Sequence, residues 1–169
     1  MATCMIRPET IADRDAIRNV NRLAFGQDAE ARLVDALRDG GFVRLSLVAE
    51  QGRRVVGHIL FSDLAIITQD GTMPALALAP MAVLPELQNQ GIGSALVWRG
   101  LDACREDGHR MVLVVGHPGF YPRFGFSAEL AARLECPYAG EAFMAVELVK
   151  DALEEGRGRI VYPPPFASI

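Results

Sequence analysis

The stretch "VLPELQNQGIGSALVWRGLDACREDG", residues 83–108, decides how the chain is read. An apolar run ends at Val83 and Leu84, a polar turn carries Gln88-Asn89-Gln90-Gly91-Ile92-Gly93, and a helical pattern follows. Gly93, Val97, Gly100, Leu101 and Cys104 fall on one stripe of that helix, with Arg99 and Asp102 facing away. Small residues on the stripe let a helix lie close to a sheet. "RMVLVVGH", residues 110–117, then has the continuous apolar character of a strand buried on both faces. Strand, glycine turn, helix and buried strand make a βαβ crossover unit.

The glycine turn is where the chemistry enters. The first N–H groups of a helix lack intrahelical partners and carry the positive end of its dipole, so they attract anions. Glycines at 91 and 93 remove side chains that would hold a pyrophosphate away from those amides. The turn is no dinucleotide fingerprint, because Leu96 stands at the third glycine's place, and no P-loop, because no Gly-Lys-Ser/Thr follows.

Working outward, "CMIRPE" reads as a first strand. Two helices follow: Ile11, Ile17, Val20 and Leu23 stand near helical spacing in the first, and Leu33, Val34 and Leu37 in the second, before a Gly-Gly stop. "LSLVAEQGRRVVGHILFSDLAII" contains two strands around a turn at Gln51-Gly52. "MPALALAPMAVLPE" is a further strand, in which Pro80 predicts an interruption. Beyond the crossover unit, "PGFYPRFGFSAEL" is dense in aromatics and glycine, "EAFMAVELV" alternates as a strand does, and "GRIVYPPPFASI" is a last extended piece. The terminal "YPPPF" reads as a stiff tail packed on its own domain or on a dimer mate, with a partner domain's ligand as the other reading. The order describes a mixed α/β (α+β) domain with a largely antiparallel start.

Composition sets outer limits. A chain of 169 residues, half of them apolar and 22% charged, suits one globular domain spanning 1–169. A net charge of -4 with interspersed signs offers no footprint for nucleic acid. Cys4, Cys104 and Cys136 are odd in number and widely spaced, which points to a reducing compartment, and no metal-ligand spacing stands out. "MATCMIRPET" lacks the apolar region of a secretory leader, and every apolar run stops short of a membrane span, so a soluble cytoplasmic protein is expected.

Two motifs together carry a resemblance. Gln88-Asn89-Gln90-Gly91-Ile92-Gly93 resembles the Gln/Arg-x-x-Gly-x-Gly/Ala element of the GCN5-related N-acetyltransferases (GNAT), and Phe120-Tyr121-Pro122-Arg123-Phe124-Gly125-Phe126 resembles their later Phe-Tyr-x-x-x-Gly-Phe element. "GHPGFYPRFGF" is similar to a YhbS-like bacterial branch of that family. The resemblance implies a mixed, centrally splayed sheet flanked by helices, and transfer of an acetyl group from acetyl-CoA to a primary amine by direct attack. It implies pairing of the pantetheine arm with the backbone at Met81, Ala82 and Val83, and a coenzyme A pyrophosphate on the amides of Gln88, Asn89, Gln90, Gly91, Ile92, Gly93 and Ser94. Pro80 fits a bulge parting the central strands.

The tetrahedral oxyanion needs a placed donor, and a main-chain amide near Val83 is the candidate. Tyr121 matches the tyrosine that protonates the leaving thiolate; an aromatic packed between Phe120 and Phe124 is the plainer reading of the same residue. The usual asparagine after the buried strand is replaced by His117-Pro118, so His117 either takes over its contact or caps the turn. Glu30, Glu50, Asp63 and His58 are the candidate general bases, each more simply read as a structural or solvated group, with a water relay as the alternative. The acceptor is an amine of a small molecule or protein, and the acidic net charge favours a cationic one. The rival is a non-catalytic acyl-CoA-binding or sensing module without an acceptor site.

Overall fold

A computed structural model of the chain describes residues 4–137, 140–153 and 156–168. The part of the N-terminal reading that rests on residues 1–3, and the very end of the tail, lie outside them. The described residues divide into two compact units, one built from 4–62, 80–100 and 164–168, the other from 63–79, 101–137, 140–153 and 156–163.

The first unit opens with strand β1 (Met5–Pro8), a 3-10 turn (Ile11–Asp13), helix α1 (Arg14–Phe25) and helix α2 (Ala29–Asp39). Asp13 binds this start together: its carboxylate accepts from the Arg7 guanidinium at 2.7 Å and from the Thr10 amide at 2.7 Å. The Arg7 hydrogen bond holds the Asp13 carboxyl at about 2, well below the usual carboxylate range. Ile17, Val20, Leu33, Val34 and Leu37 are buried as the helical spacing predicts. Ile11 and Leu23, assigned to the same stripe, are 79% and 50% exposed. Ile11 sits in the 3-10 turn, whose tighter winding takes it off the helix's register, and Leu23 lies near the C-terminal end of α1.

Strands β2 (Val43–Gln51) and β3 (Arg54–Thr68) form the expected hairpin. Gly52 and Arg53 both take positive φ, +57° and +65°, the conformation of a two-residue turn whose twist matches that of its strands. β1 lies antiparallel on β2, pairing Ile6 with Ala49.

Strand β4 (Gly71–Val83) runs as one strand through Pro74 and Pro80, so the strand itself is not broken at Pro80, while its parallel pairing with residues 112–113 ends at Ala77, ahead of that proline. Proline's fixed φ is compatible with extended backbone and removes only its own donor. Helix α3 (Ile92–Glu106) follows, and it approaches the sheet as its small residues require. A Cβ on Gly100 would stand 2.5 Å from the Phe61 ring, and one on Gly57 would stand 3.0 Å from the Leu96 side chain.

The second unit carries strand β5 (Met111–Val115), a 3-10 turn (Tyr121–Phe124), helix α4 (Ala128–Ala131) and strands β6 (Leu134–Glu135), β7 (Phe143–Glu147) and β8 (Gly158–Val161). β5 pairs in parallel with β4 only at Leu76–Val112 and Ala77–Leu113, and antiparallel with β7 along its full length. β8 pairs antiparallel with β3 and parallel with β6, a short strand the sequence does not signal. The strand order is β1-β2-β3-β4-β5-β7. The tail expected to be extended winds into a 3-10 turn (Pro164–Ser168) that contacts α2 within the first unit, with Phe166 buried.

Replacing Gly100 by Ala should lower stability by about 1–3 kcal/mol, because the Phe61 ring it meets is fully buried and has no room to retreat. Chemical denaturation of the variant against the parent measures this.

Candidate active site

The site begins where β4 ends. Pro85–Leu87 forms a 3-10 turn with proline at its start, closed by the Leu87 amide on the Leu84 carbonyl at 2.9 Å. That turn folds the chain back so that the Gln88 side-chain amide donates to the Val83 carbonyl at 3.0 Å. The Leu84 amide donates across to Val56 on β3 at 2.9 Å.

Asn89 and Gly91 both take the left-handed conformation, φ +63° and +89°. Asparagine tolerates it better than most residues and glycine adopts it freely. A Cβ on Gly91 would meet nothing within 4 Å, so its glycine serves the backbone angle and leaves open space. The first α-helical hydrogen bond runs from the Ala95 amide to the Gly91 carbonyl at 3.0 Å. The amides of Ile92, Gly93 and Ser94 therefore precede the first intrahelical bond and have no acceptor within the helix. Gly93 takes no positive φ; its contribution is the absence of a side chain in the first turn. Met81 is half-buried, Ala82 and Val83 are buried, and Gln88, Asn89, Gln90 and Gly91 are exposed. The structure brings all ten sequence-selected positions of this group into the first unit.

Tyr121 lies in the second unit, 7% exposed. Its ring packs edge-on to Phe120 at 5.0 Å and Phe126 at 5.5 Å, and Gly116 leaves the space the ring occupies. Burial pushes the phenol up to about 12, so it stays protonated across the neutral range. The His117 carbonyl accepts from the Phe120 and Tyr121 amides at 3.0 and 3.3 Å, so this residue caps the 3-10 turn through its backbone.

The four candidate bases separate clearly. His58 is wholly buried on β3, with Nδ1 facing the Asn21 side-chain amide at 3.2 Å and Nε2 facing the Ser46 hydroxyl at 2.9 Å. The same Asn21 nitrogen donates to the Ile17 carbonyl at 3.0 Å, which makes it the donor to Nδ1 and puts the imidazole proton on Nε2. Burial pulls the ring down to about 3 and the Arg38 charge adds to the effect, so His58, wholly buried with both ring nitrogens engaged, is a neutral core group out of a substrate's reach. Glu50 accepts from Arg7 at 3.1 Å, Glu30 accepts from Gln27 at 3.1 Å, and Asp63 is half-buried on β3. Cys104 is buried in the α3 stripe and burial raises its thiol to about 12, which suits packing rather than nucleophilic attack.

Among the described residues no helix is long and apolar enough to cross a membrane. Among them too, no three or more His, Cys, Asp or Glu residues gather as metal ligands would.

A family model described as an acetyltransferase (GNAT) domain matches residues 5–128. The chain belongs to the GNAT acetyltransferase family. It is 38% identical over 167 residues to the uncharacterized N-acetyltransferase YhbS of Escherichia coli, covering 96% of this chain and 98% of the relative. The crystal structure of E. coli YhbS in complex with CoA superposes with a TM-score of 0.90 at 35% identity, covering 99% of this chain and 93% of that one. A GNAT family acetyltransferase from Brucella melitensis in complex with acetyl-CoA gives 0.82 at 33% identity, over 98% and 99% of the two chains.

The neutral His58 predicts a pH signature. Its folded pKa lies below the ordinary value, so the unfolded chain binds the extra proton, and stability falls as pH drops from the ordinary histidine range towards about 3. The slope approaches about 1.4 kcal/mol per pH unit. Urea unfolding between pH 7 and 5 should show this slope in the parent and a smaller one in His58→Gln.

Proposed function

We propose that this chain is a single acetyltransferase domain that transfers the acetyl group of acetyl-CoA to a primary amine of a small molecule or protein, in the cytoplasm. The observation that carries the reading is the start of α3: three successive amides ahead of the first helical hydrogen bond, beside a left-handed Gly91 with open space at its Cβ position. Such a turn fits a pyrophosphate, whose charge meets oriented N–H groups and the positive end of the helix dipole. The amides from Gln88 to Ser94 are our pyrophosphate ligands, and the backbone of Met81, Ala82 and Val83 our partner for the pantetheine arm.

In the reaction, the acceptor ammonium gives one proton to solvent through a water relay, the neutral nitrogen attacks the thioester carbon to form the C–N bond, and the same relay takes a second proton from the nitrogen of the tetrahedral adduct. The carbonyl oxygen gathers negative charge, for which a backbone amide at the end of β4 is our donor. The C–S bond then breaks and the thiolate takes a proton. Tyr121 is our candidate source, because its phenol is protonated throughout the working range. A pKa of about 12 makes it a weak acid, so any catalytic gain comes from position more than from acidity.

The test is the unfolding midpoint with and without acetyl-CoA, with ATP and NAD as controls, followed by thiol release with a panel of amines. At about a hundred times its dissociation constant, acetyl-CoA should add roughly 2.7 kcal/mol of stability. No shift at saturating acetyl-CoA overturns the reading; binding without thiol release from any amine makes the chain a sensing module.

Gly91→Glu should weaken acetyl-CoA binding at least about tenfold, since it places a negative side chain in the open space and strains a left-handed position; isothermal titration reads this. Tyr121→Phe should lower kcat by at least about tenfold while leaving acetyl-CoA affinity nearly unchanged, as only a hydroxyl is removed. Steady-state kinetics with an accepted amine, alongside titration, separates the two effects.

A further inference from the structure

We infer that the Gln88 side chain is a positioning residue that clamps the end of β4 and turns Val83 into a pure hydrogen-bond donor towards the thioester, an inference that rests on the acetyl-CoA reading above. Along an extended strand, the N–H and C=O of one residue point to the same edge, and those of the next residue point to the opposite edge. The Leu84 amide points at β3, where Val56 accepts it at 2.9 Å. The N–H and C=O of Val83 accordingly point to the other edge. There the Val83 carbonyl accepts from Gln88 Nε2 at 3.0 Å.

Two consequences follow from these bonds. The Val83–Leu84 peptide is held at both ends, its oxygen by Gln88 and its nitrogen by Val56, so the plane cannot rotate without breaking one of them. The chemical consequence concerns charge. A bare carbonyl beside an amide on the same edge sets a partial negative charge against any oxyanion bound at that amide. The Gln88 N–H offsets that charge and leaves the amide as the group that Val83 offers a ligand.

The bond requires a long side chain ending in an N–H donor, brought back by the 3-10 turn at Pro85–Leu87. Methionine matches the length of glutamine without a donor, and arginine restores a donor. The test uses [1-13C]acetyl-CoA as the probe and records the isotope-edited infrared stretch of its carbonyl when bound to the parent, Gln88→Met and Gln88→Arg. The parent and the arginine variant should both move the stretch to lower frequency than in water, as hydrogen bonding to the carbonyl does. The methionine variant should lose most of that shift and lose turnover about tenfold or more, while its affinity for acetyl-CoA changes far less. A methionine variant that binds acetyl-CoA with the parent's full shift overturns the clamp and leaves the function standing. So does a parent that binds acetyl-CoA with no shift. A parent that does not bind acetyl-CoA at all overturns the function itself.

Discussion

The close approach of helix α3 to strand β3 is the constraint from which the rest of the first unit is built. Gly100 leaves room for the Phe61 ring and Gly57 leaves room for Leu96, so each element supplies a missing side chain where the other presses in. With the helix axis held against the strand, the start of α3 is fixed relative to the end of β4. The turn between them is then short, left-handed at Asn89 and Gly91, and aimed. An anion site made of backbone amides works only if those amides are already oriented, because reorientation would have to be repeated at each binding event. If the start of α3 holds the pyrophosphate as proposed, core packing and ligand recognition are one arrangement viewed from two ends.

The opposite face of β3 shows how a polar group can be kept from chemistry. His58 is held between Asn21 and Ser46 by bonds that specify a neutral tautomer, and its burial raises the cost of charging it. Among the described residues, the Asn21 side-chain oxygen and the Ser62 hydroxyl are buried without a protein hydrogen-bond partner.

Much of this was legible in the sequence, for reasons that differ by element. The α3 stripe and the glycine turn could be read because a helix period and a backbone angle impose residue types directly. The buried residues of α1 and α2 followed from the same period, and failed at Ile11 and Leu23, where a 3-10 turn and a helix end break it. Pro80 suggested a break because proline lacks a donor, yet β4 tolerates it. The two-residue β6 leaves too short a trace for any periodicity, and three prolines hid the turn that seats Phe166. The Gln88–Val83 bond was invisible because it joins a side chain to a backbone group of no particular residue type. His58 looked like a base by type alone, and only its surroundings show otherwise.

The two compact units are interleaved along the chain: each begins, yields to the other and resumes. The segment holding Phe166 packs in the same unit as α2, which the chain completes long before. Neither unit is therefore a stretch that could be excised, permuted at a single point or finished early on the ribosome. While the chain is being made, α2 must wait, with part of its surface uncovered, until residue 166 has emerged.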